Sequence, residues 1–165
     1  MRYQNVLMSP STRAKKLEVR RVTERDYAEL LGLIAAFAKF VRRKPPDTAA
    51  RRRLIQDISS RKRIHVFVAT VGKRLVGYAL YFYTYSSFLG KSNLYIDDLF
   101  VLPDYRLKGV GSLLFKKCAL EARRNKCAAM HWSVLTWLKE ATRFYRSLDA
   151  ERQEDSYHYR LMLAN

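Results

Sequence analysis

Apolar and polar positions along the chain change period several times, and each change marks an element. Leu17 to Val22 (LEVRRV) alternates as a half-buried strand does, and Thr23-Glu-Arg-Asp26 supplies a helix-start box with Asp where Glu or Gln is usual. Tyr27, Leu30, Leu31, Ile34, Phe37, Ala38 and Val41 then recur at steps of three and four, predicting a helix with one stripe turned to a core. Pro45 and Pro46 close that run, and Asp47 or Thr48 caps a second helix carrying Ala50, Leu54 and Ile58 on one side. Ile64 to Val71 and Leu75 to Tyr85 flank the turn Gly72-Lys-Arg74 and read as an antiparallel hairpin. A third extended run, Leu94 to Leu102, ends at Pro103. The loop Asp104 to Ser112 leads into a helix from Leu113 to Asn125, a strand from Cys127 to Val134, a helix from Leu138 to Leu148 and a closing strand from Ser156 to Leu163.

The resulting order, β-α-α-β-β-β-α-β-α-β, has no repeat and no internal linker. It predicts an α/β (mixed α+β) chain with one mixed sheet and helices on both faces. A chain of 165 residues makes about one domain, placed at 17–165, and residues 1–16 are expected to form a basic flexible arm. No apolar run approaches the roughly 20 residues of a membrane span and none sits behind the N-terminus, so a cytoplasmic protein without a membrane partner is expected. Cys118 and Cys127 are too few for a disulfide framework and are expected to be buried thiols. His65, His131 and His158 have no metal-ligand spacing, and no metal is expected.

Charge alters this picture most. Thirty-two Lys and Arg against 15 Asp and Glu leave a net charge of +17, so a polyanion is the first partner to consider. Nine basic residues lie between Arg42 and Arg63, in the triplets Arg42-Arg43-Lys44, Arg51-Arg52-Arg53 and Arg61-Lys62-Arg63, against Asp47 and Asp57. No aromatic residue lies between Val41 and His65 to stack on bases, which favours a solvated helix face over a nucleic-acid patch.

Three segments carry candidate chemistry. Arg106-Leu107-Lys108-Gly109-Val110-Gly111-Ser112, between a strand and a helix, has the makings of a phosphate cradle: free helix N–H groups, glycines that let a diphosphate approach, and two cations. A tight turn that needs glycine for its dihedrals is the rival reading. Neither the P-loop nor the Rossmann fingerprint is met, with Leu114 where a third glycine belongs. Upstream, Asp97 and Asp98 interrupt an apolar strand. Alternation sends them to opposite faces, and a carboxylate on a covered face needs a partner or a function. In the last helix Phe144 suits a core and Tyr145 suits either a core or a cleft, while His131 reads first as an interior histidine.

The run Leu94-Tyr-Ile-Asp-Asp-Leu-Phe-Val-Leu-Pro-Asp-Tyr-Arg-Leu-Lys-Gly-Val-Gly-Ser112, followed by a Leu-rich helix, Met130-His131-Trp132, Trp137 and Phe144-Tyr145, closely resembles the GNAT superfamily of acetyl-CoA-dependent N-acetyltransferases. Within it the nearest likeness is to the spermidine/spermine (diamine) N-acetyltransferases. The resemblance implies a mixed, mainly antiparallel sheet and acetyl transfer from acetyl-CoA to a primary amine, either diamine-like, polyamine-like or amino-acid-like. It further implies that the backbone of Leu99, Phe100 and Val101 pairs with the pantetheine arm, with amides near Leu99 polarising the thioester carbonyl. Arg106 to Ser112 would hold the pyrophosphate. Tyr145 matches the tyrosine that protonates the leaving thiolate and contacts the cofactor, Asp97 stands where relatives carry a glutamate that deprotonates the amine, and Asp98 and His131 fall among acceptor contacts. The family's habit implies a homodimer. Leu107 and Asp149 stand where glycines are usual, and Leu138 where a polar residue often contacts the cofactor. Acetylation of a protein lysine or N-terminus, a basic nucleic-acid-associated module on the same scaffold, and a non-catalytic CoA-binding regulator are the alternatives.

Overall fold

The computed structural model describes residues 16–148, 150–154 and 159–163. Strands β1 (Leu17–Arg21), β2 (His65–Val71), β3 (Arg74–Ser86), β4 (Lys91–Val101) and β5 (Met130–Trp132) form one sheet in the order β1-β2-β3-β4-β5. The first four pair antiparallel and β5 runs parallel to β4. The helices are α1 (Tyr27–Phe40), α2 (Thr48–Ser60), α3 (Val110–Arg124) and α4 (Lys139–Arg146). The chain divides into a larger unit ending at Trp132, which holds the whole sheet, and a smaller one beginning at Ser133, which holds α4.

Two apolar layers cover the sheet. On one face Leu30, Leu33 and Ile34 of α1 and Ile58 of α2 pack with Val66, Val68, Tyr78, Leu80 and Phe100. On the other, Val110, Leu114, Cys118 and Ala122 of α3 pack with Phe67, Ala79, Tyr81, Leu94 and Ile96. Burying side chains of this size contributes about 1.5–3 kcal/mol each, enough to fix which strand face meets which helix. The expected helices on both faces of a mixed sheet are therefore present.

The start signals work through identifiable bonds. Asp26 accepts from the Thr23 backbone N–H and hydroxyl, each at 2.8 Å, and from Arg20 at 2.6 and 2.8 Å. Arg20 in the first place, then the Thr23 donors, hold its carboxyl near the bottom of the carboxylate range, at about 2, against the opposing effect of burial. The box first forms a short 3-10 turn, Glu24–Asp26, before α1 begins. Asp47, rather than Thr48, caps α2 by accepting from the Ala50 N–H at 2.8 Å.

Four expectations need correction. Leu33, which the predicted stripe omits, is among the buried residues of α1. The strand expected over 127–134 is only Met130–Trp132, because the preceding segment meets β4 through two single bonds, Ala128 N–H to Ser92 and Leu94 N–H to Ala129. Cys118 is buried but Cys127 only half-buried. The closing strand expected at 156–163 falls partly outside the described residues, and 159–163 carry no strand. The arm at 1–16 lies outside the described residues up to residue 15, as does Asp149. Among the described residues no helix is long and apolar enough to cross a membrane.

Candidate active site

The site is built by an irregularity in β4. Leu80 of β3 lies opposite Asp98 and Tyr81 lies opposite Ile96, so Asp97 is an extra residue on β4, a β-bulge. Before it, Leu94 and Ile96 face α3; after it, Leu99 and Val101 pack on that side while Phe100 joins the α1 side. One inserted residue has inverted the parity of the strand.

This overturns the expected placement of the carboxylates on opposite faces. Asp97 alternates with Ile96, away from α3, and Asp98 accepts a hydrogen bond from Tyr78 Oη at 2.8 Å on the α1 side. The acids therefore share a face, and each raises the energy of the other's charge. Burial, with Asp97 as a like charge, pushes Asp98 up to about 6, while the Tyr78 hydroxyl and Arg43 work in the opposite direction. The Tyr78 hydroxyl itself is driven far up, chiefly by burial. Asp97 stays open to solvent, yet the protein around it raises its carboxyl, opposed by Arg43. The pair supplies one solvated and one sheltered carboxylate on adjacent residues, a natural receptor for an ammonium group and its proton.

The bulge also frees an edge. β5 pairs with Leu94, Tyr95 and Ile96, and among the described residues no strand pairs with β4 on that side beyond Ile96. Leu99, Phe100 and Val101 thus remain paired to β3 on one side while their other edge is open to an extended ligand. The Phe100 side chain is buried against Phe37 (5.4 Å between ring centres) and Tyr78, so any contact it makes at that edge is through backbone. The Val101 carbonyl accepts from Arg106 Nε at 3.1 Å.

The edge leads directly to the predicted cradle. α3 begins at Val110, not at 113 as the loop reading had it, so Val110, Gly111 and Ser112 form its first turn. Leu113 N–H makes a bond to Gly109 O at 3.0 Å, which leaves the N–H groups of those three residues aimed outward, as helix geometry requires. Gly109 has φ +79°, and a side chain there would meet no atom within 4 Å, so glycine serves the dihedral rather than the space. Leu107 adopts φ +58°, a left-handed conformation glycine would hold without strain, and its side chain is fully exposed. Arg106 lies 4.4 Å from the centre of the Phe40 ring, and Lys108 donates to Asp104 O at 2.8 Å. Outward amides and two cations make a donor set suited to a diphosphate.

Of the remaining candidates, His131 is exposed on β5 opposite Tyr95, not the interior residue its strand position implies. Tyr145 lies in α4 of the second unit, half-buried, with its ring 5.0 Å from that of Phe144. A cavity of about 270 Å³ lined by Arg21, Thr23, Tyr27, Ser59, Arg61 and His65, among others, contains none of the predicted site residues. Sequence reasoning missed Tyr78, the partner of Asp98. Its signal was faint: a hydroxyl in the strand next to two unexplained acids.

Comparison with known proteins places the chain in a family. Residues 28–149 match the acetyltransferase (GNAT) family. The chain is 32% identical over 135 residues to a thialysine N-epsilon-acetyltransferase of Caenorhabditis elegans, covering 82% of this chain and 83% of that one. It is 36% identical over 77 residues to the L-ornithine N5-acetyltransferase NATA1 of Arabidopsis thaliana, covering 47% of this chain and 34% of that one. Among solved structures, one described as a probable acetyltransferase superposes with a TM-score of 0.79 at 19% identity, covering 90% and 99% of the two chains. The chain belongs to the GNAT family.

Proposed function

We propose that this enzyme transfers acetyl from acetyl-CoA to the terminal primary amine of a small amino-acid-like or diamine acceptor. One observation carries the reading: a bulge that places Asp97 and Asp98 on one face also opens the β4 edge that runs into the cradle. The names of the relatives, a thialysine and an ornithine acetyltransferase, support a small acceptor with a terminal amine.

Acetyl-CoA, when bound, supplies the acetyl group as a thioester. Arg106, Lys108 and the amides of Gly109 to Ser112 hold its pyrophosphate, and the backbone of Leu99 to Val101 pairs with its pantetheine arm. The positive field of the whole chain speeds the encounter. An alkyl ammonium with a pKa near 10 must lose a proton before its nitrogen can attack. Asp97 receives the ammonium and relays that proton through water, since aspartate is one methylene shorter than the glutamate at this position in relatives. Asp98 adds a second negative charge, and His131 contributes to the acceptor side. The amine nitrogen then forms a bond to the acetyl carbon, the carbon–sulfur bond breaks, and Tyr145 gives its proton to the departing thiolate. The second proton of the nitrogen leaves through water to restore the Tyr145 hydroxyl, so that one proton in all is released to solvent.

Thiol release from acetyl-CoA, measured across diamines, polyamines, lysine analogues and lysine-containing peptides, tests the proposal. Turnover with small terminal amines is expected, and Tyr145→Phe should slow it with little loss of CoA affinity. Turnover confined to peptides, or none together with salt-sensitive nucleic-acid binding, would overturn it.

A further inference from the structure

The acceptor side holds a cation as well as two acids. Arg42 takes a left-handed turn (φ +58°) just past α1, and the Arg43 N–H returns to Ala38 O at 2.7 Å, closing the helix. The backbone of Arg43 is therefore set by α1 rather than by a loose loop. The last turns of α1 lie over β4 just beyond the bulge: Phe37 and Phe40 meet Phe100 with ring centres 5.4 and 6.1 Å apart. Asp98 stands two residues before Phe100 on the same strand face, with Asp97 open beside it.

The Arg43 guanidinium is exposed and makes no side-chain hydrogen bond or ion pair among the described residues. Arg20, Arg21 and Arg124, by contrast, spend theirs on Asp26 and Glu121. The field of Arg43 nonetheless reaches both Asp97 and Asp98, favouring their charged forms. The acceptor side thus carries a negative pole on β4 and a positive pole at the end of α1.

We infer that Arg43 is a carboxylate-binding subsite, so that the preferred acceptor is a zwitterionic amino-acid-like amine and not a diamine or polyamine. This rests on the acetyltransferase reading above and names its substrate class. A zwitterion satisfies both poles: its distal ammonium meets Asp97 and Asp98, and its carboxylate meets the planar guanidinium in a two-pronged, charge-assisted contact. A diamine of the same length satisfies one pole and sets its second ammonium against Arg43. That repulsion discriminates as strongly as the attraction does.

Two matched pairs isolate the carboxylate: ornithine against putrescine, and lysine against cadaverine. Wild-type kcat/KM is expected to favour the amino acid of each pair by about 10- to 100-fold. Arg43→Gln should erase that preference by lowering the amino-acid values and leaving the diamine values level or higher. Arg43→Glu should reverse it, and Arg43→Lys should restore part of it. Binding of ornithine and putrescine to the enzyme loaded with CoA, measured by calorimetry, needs no turnover and keeps the two readings apart. If no amine is acetylated but ornithine binds more tightly than putrescine and loses that margin in Arg43→Gln, the subsite stands and the proposed reaction falls. Equal binding of the two amines, or a margin unmoved by Arg43→Gln, overturns the subsite whether or not turnover is seen.

Discussion

The two halves of β4 differ in what lies along their edges. Lys91 to Ile96 pairs with β3 along one side and, from Leu94, with β5 along the other, and its apolar side chains pack under α3. Asp97 to Val101 keeps β3, has no strand on its far side among the described residues, and turns its polar groups toward α1. The first half is shielded on both sides; the second is open along one edge of its backbone and carries both acids. The boundary between them is one residue with no partner in the ladder. The break in regular pairing falls where the two acids enter the strand, and it turns both of them to one face.

Removing the break is the severest way to test that contrast. Deleting Asp97 closes the bulge into an unbroken ladder, with Ile96 opposite Tyr81 and Asp98 opposite Leu80 as before, and takes away the solvated carboxylate while leaving Asp98, Leu99 and Val101 on the faces they already hold. Acetyl transfer is expected to fall by about 1,000-fold or more, read as thiol release, while circular dichroism still reports a sheet. Asp98→Asn keeps the parity and removes one charge, for an expected loss of about 100-fold in kcat/KM. Gly77 supports the open half from β3: a Cβ there would lie 2.7 Å from the Phe100 carbonyl, so Gly77→Ala should cost about 2 kcal/mol in thermal or denaturant unfolding.

Tyr78→Phe should act on pH rather than on the maximum rate. The Tyr78 hydroxyl stabilises ionised Asp98, whose carboxyl titrates at about 6, so activity should decline as pH falls through that value. Without the donor the charged form loses support and the pKa rises, which moves the acid limb of the kcat/KM profile upward. A limb that stays in place would detach Asp98 from the reaction. The mildest change belongs to the other half: Ile96→Val should lower stability by about 1 kcal/mol and leave transfer unchanged. An activity loss there comparable to that of Asp98→Asn would dissolve the distinction between the halves.

Much of the fold was legible because its signals are local. The alternation of Leu17 to Val22, the stripe of α1 and the pair of prolines before α2 each record a rule of nearest neighbours, and the observed ends fall within a few residues of them. The turn proposed as the cradle was legible for the same reason, since Gly109 and the cations beside it are contiguous. The arrangement of the acids was not. Alternation placed Asp97 and Asp98 apart because a bulge depends on what β3 does opposite Leu80 and Tyr81, which no window of β4 contains. Tyr78 lies 20 residues from Asp98, and Arg43 lies in another element altogether. Such partners are set by packing across the sheet, and the brevity of β5 reflects the same dependence on a neighbour.

Arg106 holds its guanidinium against the Phe40 ring and its Nε on the Val101 carbonyl. Both contacts come from the protein alone, so the planar group is held in one orientation in advance, and the pyrophosphate contact proposed above leaves it little entropy to lose. A lysine in its place would preserve the charge but forfeit the flat stacking surface and the second donor, making this apparently conservative exchange a disruptive one.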